Sequence, residues 1–303
     1  MTAPSTWPAL PYASWSKTCA TLHLWLQIVG KIPLAQLPWT CHSWHVALAV
    51  TARGLATRLM PHGAKAFQVE FDFVEHRLRV QVSDGRHGTL PLEPQTVAAF
   101  YRRFMELLKT LEVPVRIRTT PNELPDPIPF ERDETHRSYD AEYANRYWRV
   151  LLQTQRVFDK FRSRYVGKCS PVHFFWGSAD LAVTRFSGRP APEHPGGVPH
   201  LPDWVVRDAY SHEVSSAGFW AGNEQQPNAM FYSYAYPEPP GFAQAAVRPA
   251  AARYSNELRE FVLPYDSVAQ SASPDDILLE FLESTYQAAA GRGGWPPGAA
   301  TAG

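Results

Sequence analysis

The stretch Asp180-Leu181-Ala182-Val183-Thr184-Arg185-Phe186-Ser187 decides the reading of the chain, because part of it occurs twice. Leu181-Ala182-Val183-Thr184 repeats Leu48-Ala49-Val50-Thr51. Around both words, period-two alternation of apolar residues reads as strand, and period-3.6 runs on either side read as helix. In the first half, a helix is expected over 14–30, with Trp15, Cys19, Leu22, Leu26 and Val29 on one face and Gly30 as its stop. A strand over 44–53 follows, then strands over 67–74 and 77–82 joined by a turn near Glu75-His76. Pro94 opens a helix over 95–111, and a short strand over 113–118 closes the half.

The second half repeats this plan. A long helix is expected over 140–165, followed by Gly167-Lys168 as Gly30-Lys31 follows the first helix. Strands over 173–176, 180–187, 213–220 and 229–236 come next. Phe261-Val262-Leu263-Pro264 then leads into a helix over 274–289, with Ser273 as cap, Pro274 at its first position and Asp276 three residues on. The expected fold class is α+β: two pseudo-symmetric helix–antiparallel strands–helix halves sharing one core. The divisions are residues 1–120, a Pro-rich connector 121–138, a second half 139–290, and a Gly/Pro/Ala-rich tail 291–303 expected to be disordered. A further Pro-rich segment, 188–211, is long enough to be a lid or a linker.

Composition narrows the function. The 303 residues carry 29 Lys plus Arg and 29 Asp plus Glu. That balance argues against a general nucleic-acid binder, which needs a basic excess to neutralise phosphates. A 45% hydrophobic content excludes wholesale disorder. No run approaches the ~18 apolar residues of a membrane span, and Met1–Leu10 lacks the features of a signal peptide. Three distant cysteines, Cys19, Cys41 and Cys169, give no disulfide framework. The expectation is a cytoplasmic protein with no nucleic-acid or membrane partner; its oligomeric state is left open.

Three longer words carry a resemblance. Pro38-Trp39-Thr40-Cys41-His42-Ser43-Trp44-His45-Val46, Ser170-Pro171-Val172-His173-Phe174-Phe175-Trp176-Gly177-Ser178 and Tyr210-Ser211-His212-Glu213-Val214-Ser215-Ser216-Ala217-Gly218-Phe219-Trp220 resemble a full-length family of uncharacterised bacterial proteins, the domain-of-unknown-function family 5996. The resemblance implies a folded domain over about Trp7 to Ala290 and brings no activity, cofactor or catalytic residue. Cys41 departs from the polar residue expected at that place.

Chemistry is sought where histidines gather at strand starts. His173, His212, Glu213 and Asp180 are the candidate catalytic residues, with a carboxylate orienting an imidazole. His42 and His45, joined by His173 or His212, are a candidate divalent-metal set, although three-residue spacing on a strand would send His42 and His45 to opposite faces. Arg185 and Arg189 are candidates to grip an anionic group. Trp44, Trp176, Tyr232 and Tyr234 are candidate walls of a ligand pocket. No P-loop, Gly-x-Gly-x-x-Gly or Gly-x-Ser-x-Gly occurs, so no nucleotide cofactor is implied. The leading expectation is an enzyme that cleaves a small polar organic molecule, hydrolase or lyase in type, by histidine-centred acid–base or metal-assisted chemistry. The alternatives are a non-catalytic small-molecule binder with an aromatic pocket, and an interaction module using the Pro-rich loops.

Overall fold

A computed structural model describes residues 6–295. The fold is mixed α+β, with two antiparallel six-stranded sheets. The first helix, α1 (Ser16–Gln36), is apolar on nearly every side. Leu22, Trp25, Leu26, Ile28, Val29 and Ile32 are all buried, as suits a helix enclosed by the rest of the chain. Trp25 stacks on Phe100 at 4.7 Å and on Tyr139 at 5.6 Å.

The first sheet contains β1 (Ala49–Val50), β2 (Gly54–Ala56), β3 (Met60–His62), β4 (Lys65–Asp72), β5 (Arg77–Val82) and β6 (His87–Pro91). It runs β1-β2-β4-β5-β6, with β3 also paired to β4. Helix α2 (Val97–Thr110) begins on a true cap: the Thr96 hydroxyl accepts the Ala99 N–H at 3.1 Å. Helix α3 (Ala141–Ser163) starts similarly, with the Asp140 carboxylate accepting from Tyr143 N–H.

The second sheet follows: β7 (His173–Phe175), β8 (Asp180–Pro190), then a short helix α4 (Asp203–Ala209), β9 (His212–Trp220), β10 (Met230–Tyr236), β11 (Arg253–Ser255) and β12 (Glu260–Pro264). Its order is β11-β12-β10-β9-β8-β7. Two helices, α5 (Tyr265–Ala269) and α6 (Pro274–Arg292), complete the chain. A backbone bridge between Leu48 and Phe174 joins the two sheets near β1 and β7. One continuous apolar core includes side chains of both halves.

Several expectations are corrected. Gly30 does not stop α1, which runs on through it to Gln36. Gly30 is there because the Trp176 indole lies against its Cα, where a Cβ would overlap the ring. The expected strand over 44–53 is mostly turn. His42 and Ser43 take left-handed φ values of 60° and 58° in a one-turn 3-10 helix, and only Ala49 and Val50 pair as strand. Residues 113–118 form no strand, although Val113 and Val115 are buried. Ser273 makes no side-chain cap.

The two Leu-Ala-Val-Thr words also occupy different places. One spans a two-residue edge strand, the other the first half of an eleven-residue strand, and both flank Phe174. Of the tail, α6 continues to Arg292 and Trp295 packs on Tyr286 at 5.9 Å. Residues 296–303 lie outside the described residues.

The Gly30–Trp176 contact gives a test with a definite sign. Alanine is the better helix former by about 1 kcal/mol, but the added methyl must displace a packed indole. Gly30→Ala is therefore expected to lower stability by about 1–3 kcal/mol in urea unfolding. A raised midpoint would mean the ring yields freely.

Candidate functional site

Alternation along the second sheet sends its residues to two unlike faces. Leu181, Val183 and Arg185 of β8 point toward α3 and α6, which pack on that side. Asp180, Ala182, Thr184 and Phe186 point the other way. Among the described residues the end of α1 is the one part of a long helix that lines that face. The face is covered by Leu34–Val46, by Asn122-Glu123, and by the segment Val198–Tyr210 that contains α4. A cavity of about 580 Å³ remains between sheet and cover, with mostly apolar walls. That size suits a small organic molecule. The Pro-rich segment 188–211 thus forms its roof. Leu34, Trp39 and Trp204 are lining residues that remain exposed, so they mark the rim, and the two indoles lie 4.5 Å apart.

The cavity floor is polar at one end. Tyr232 of β10 stands opposite Gly218 of β9, where a Cβ would overlap the phenol ring. The missing side chain lets the ring cross β9, and the hydroxyl donates to Asp180 on β8. The Ser178 hydroxyl donates to the same carboxylate. Asp180 is buried, and burial raises its pKa against those two donors. Glu260 enters from β12. Burial, reinforced by the negative field of Asp180, lifts its pKa to about 7.

Glu123 enters from the connector and is likewise lifted to about 7, by burial first and Asp180 second. Its position is fixed from α1. Gln27 donates to Asn122 O at 2.9 Å and accepts from Asn122 N–H at 2.8 Å. Lys31 donates to Thr120 O at 3.0 Å and to the Asn122 side chain. This grip leaves Glu123 in a left-handed conformation, φ 63°, with its carboxylate against Gly177, where no Cβ would fit. Lys31 is itself buried, and burial lowers its pKa to about 8. A second cavity of about 210 Å³ shares Glu123, Gly177, Ser178 and Trp220 with the first.

The predicted residues divide. Asp180, His173, His42, Trp44, Trp176, Tyr232 and Tyr234 line the cavity. His212, Glu213, His45, Arg185 and Arg189 do not. Asp180 meets hydroxyls rather than orienting a histidine. His173 Nδ1–H donates to Ala182 O at 3.0 Å, which leaves Nε2 as the lone-pair nitrogen with no well-formed hydrogen bond. Burial lowers its pKa to about 4, although the Pro171 and Ala182 carbonyls favour the charged ring.

His42 is engaged at both nitrogens, Nδ1–H with Ala209 O at 3.1 Å and Nε2 with Lys168 Nζ at 2.7 Å. His45 Nδ1 accepts from Thr40 N–H. His42 and His212 have ring centroids 6.1 Å apart. Among the described residues no three His, Cys, Asp or Glu side chains are placed to hold a metal ion, so the metal set built on His42 and His45 is not assembled.

The arginines, expected as anion grips, lie outside the cavity lining and are paired within the fold. Arg185 is 1% exposed, lies 3.3 Å over the Phe161 ring and pairs with Glu283 at 3.3 Å. Arg189 pairs with Glu213 at 2.7 Å, so Glu213 is engaged as well. Sequence reasoning missed Glu123, Glu260, Tyr210 and Trp204. Glu260 had a signal, since it immediately precedes the buried Phe261 in a strand and so faces the opposite side. Glu123 had none.

A carboxyl whose folded pKa lies above its unfolded value stabilises the fold only while protonated. For Glu123 and Glu260 that contribution is whole below about pH 4.5 and is lost as the pH rises to about 7. Buried His173 acts oppositely, costing stability as the pH falls from 6.5 toward about 4. The informative quantity is therefore a difference between variants. Glu123→Gln should gain stability over wild type progressively between about pH 4.5 and 7 and then level off, read from urea midpoints against pH. A difference independent of pH would contradict this.

No curated protein and no solved structure matches the chain. The family of unknown function DUF5996 matches residues 7–302, and the chain belongs to that family.

Proposed function

We propose that the protein takes up a small, largely apolar organic molecule in the cavity over the second sheet. The observation that carries this reading is the cavity itself: about 580 Å³, walled by Trp44, Trp176, Phe186 and Trp220, with Asp180, Glu123 and Glu260 among its polar groups. Apolar walls supply affinity and a few convergent polar groups fix orientation. A sheet face covered by loops, one short helix and the end of α1 is also a face that can open. The exposed Trp39–Trp204 pair gives the entering molecule an aromatic contact at the rim.

A second reading, acid–base catalysis, is favoured by the carboxyls. Glu123 and Glu260 are poised near neutrality, where a general acid or base works best. Carboxylates, rather than the histidines expected from the sequence, would then carry the proton. His212 faces elsewhere, and both nitrogens of His42 are engaged. In this reading burial, with the negative field of Asp180 second, leaves the two glutamates able to give or take a proton near neutral pH. It predicts compounds in a small-molecule extract that wild type consumes and a Glu123→Gln/Glu260→Gln variant does not, read by mass spectrometry.

Binding is tested with a neutral fluorescent probe, N-phenyl-1-naphthylamine. One probe per chain is expected, with emission rising as the dye enters an apolar site. Ala182 faces the cavity from β8. Ala182→Leu should weaken binding by roughly tenfold through lost volume, while the far-ultraviolet dichroism and the cooperative melt stay those of wild type. Equal affinity in a folded variant would place the dye elsewhere and remove the support.

A further inference from the structure

Resting on that reading, we infer that the molecule the cavity takes is an organic amine, a protonated ammonium on an aromatic or aliphatic body. The groups at the floor that can carry a full charge are carboxyls, and a buried imidazole nitrogen near them is also free to accept. Asp180, Glu123 and Glu260 are three carboxyls in one region, close enough that Asp180 disfavours ionisation of both glutamates. His173 is 5% exposed, its Nδ1–H is engaged by Ala182 O, and its Nε2 lone pair is unpartnered.

Several hydroxyls nearby bond within the protein. Tyr232 and Ser178 donate to Asp180. Tyr210 and Tyr234 bond each other at 2.9 Å, and Thr184 bonds Ser216 at 2.8 Å. An ammonium supplies three N–H donors and a positive charge, which suits a floor of carboxyls.

Charge points the same way. Among the described residues no lysine or arginine lines the cavity. Lys168 is engaged with His42 Nε2, and Arg185 is turned to the opposite face of the sheet. Grouped carboxyls without a counter-ion are costly if ionised, and burial makes them take up protons instead. A bound cation restores the missing charge and lets them ionise. Indole and phenol faces around the site, those of Trp44, Trp176, Trp220 and Tyr232, add the attraction of a cation for aromatic rings. A carboxylate-bearing or phosphate-bearing ligand would meet only repulsion there.

The test compares three molecules of one shape and different charge: tryptamine, tryptophol and indole-3-propionate. Each competes with N-phenyl-1-naphthylamine at pH 7.5. Tryptamine should bind roughly tenfold more tightly than tryptophol, and indole-3-propionate more weakly than either. Glu123→Gln and Glu260→Gln should each reduce the ratio of tryptamine to tryptophol affinity by several-fold. If tryptophol or indole-3-propionate competes as well as tryptamine, the cation assignment falls and the small-molecule reading stands. Failure of all three to displace a dye that does bind also overturns the amine. Should the neutral dye itself find no site, both readings fall together.

Discussion

The contact between Trp176 and Gly30 ties the two halves of the chain to each other. The indole lies on the bare backbone of α1, donates to Val46 O at 3.0 Å and has the Lys31 ammonium 5.7 Å from its ring centroid. It also forms a wall of the cavity. One side chain thus sets the distance from the central helix to the turn after it and to the start of the second sheet. The next residues along, Gly177 and Ser178, receive Glu123 and donate to Asp180. Displacing the ring would disturb the wall and the acidic floor together.

What could be read from the sequence follows from how local each signal is. Strands β4 and β5 were legible because one face of each is the more deeply buried, which forces alternation, whereas β8 and β9 are covered on both faces and are buried almost continuously. Helices α2 and α3 were legible from periodicity, and their caps Thr96 and Asp140 are real. The end of α1 was misread because a glycine that admits a neighbouring ring looks in sequence like a glycine that ends a helix. The turn at His42-Ser43 was missed because two left-handed non-glycine residues leave no compositional mark. α4 was hidden inside proline-rich sequence.

The candidate site was half legible for the same reason. Tyr232 and Tyr234 share a strand face, so simple alternation found them, and Asp180 stood out as a charge at an apolar strand start. Glu123 is brought in by hydrogen bonds from Gln27 and Lys31, about a hundred residues away in the chain. Nothing near it in sequence announces that placement. The histidines drew attention by chemical type, yet most are satisfied by backbone carbonyls or neighbouring side chains, the commoner state of a buried imidazole.

The indoles of Trp39 and Trp204 come from separate segments at the cavity rim, one before the first sheet and one on α4. Neighbouring indole chromophores at such a separation couple their electronic transitions and imprint a paired band on the circular dichroism spectrum. Any motion that parts the mouth would uncouple them. The chain thereby carries its own optical gauge of opening, with no label to attach.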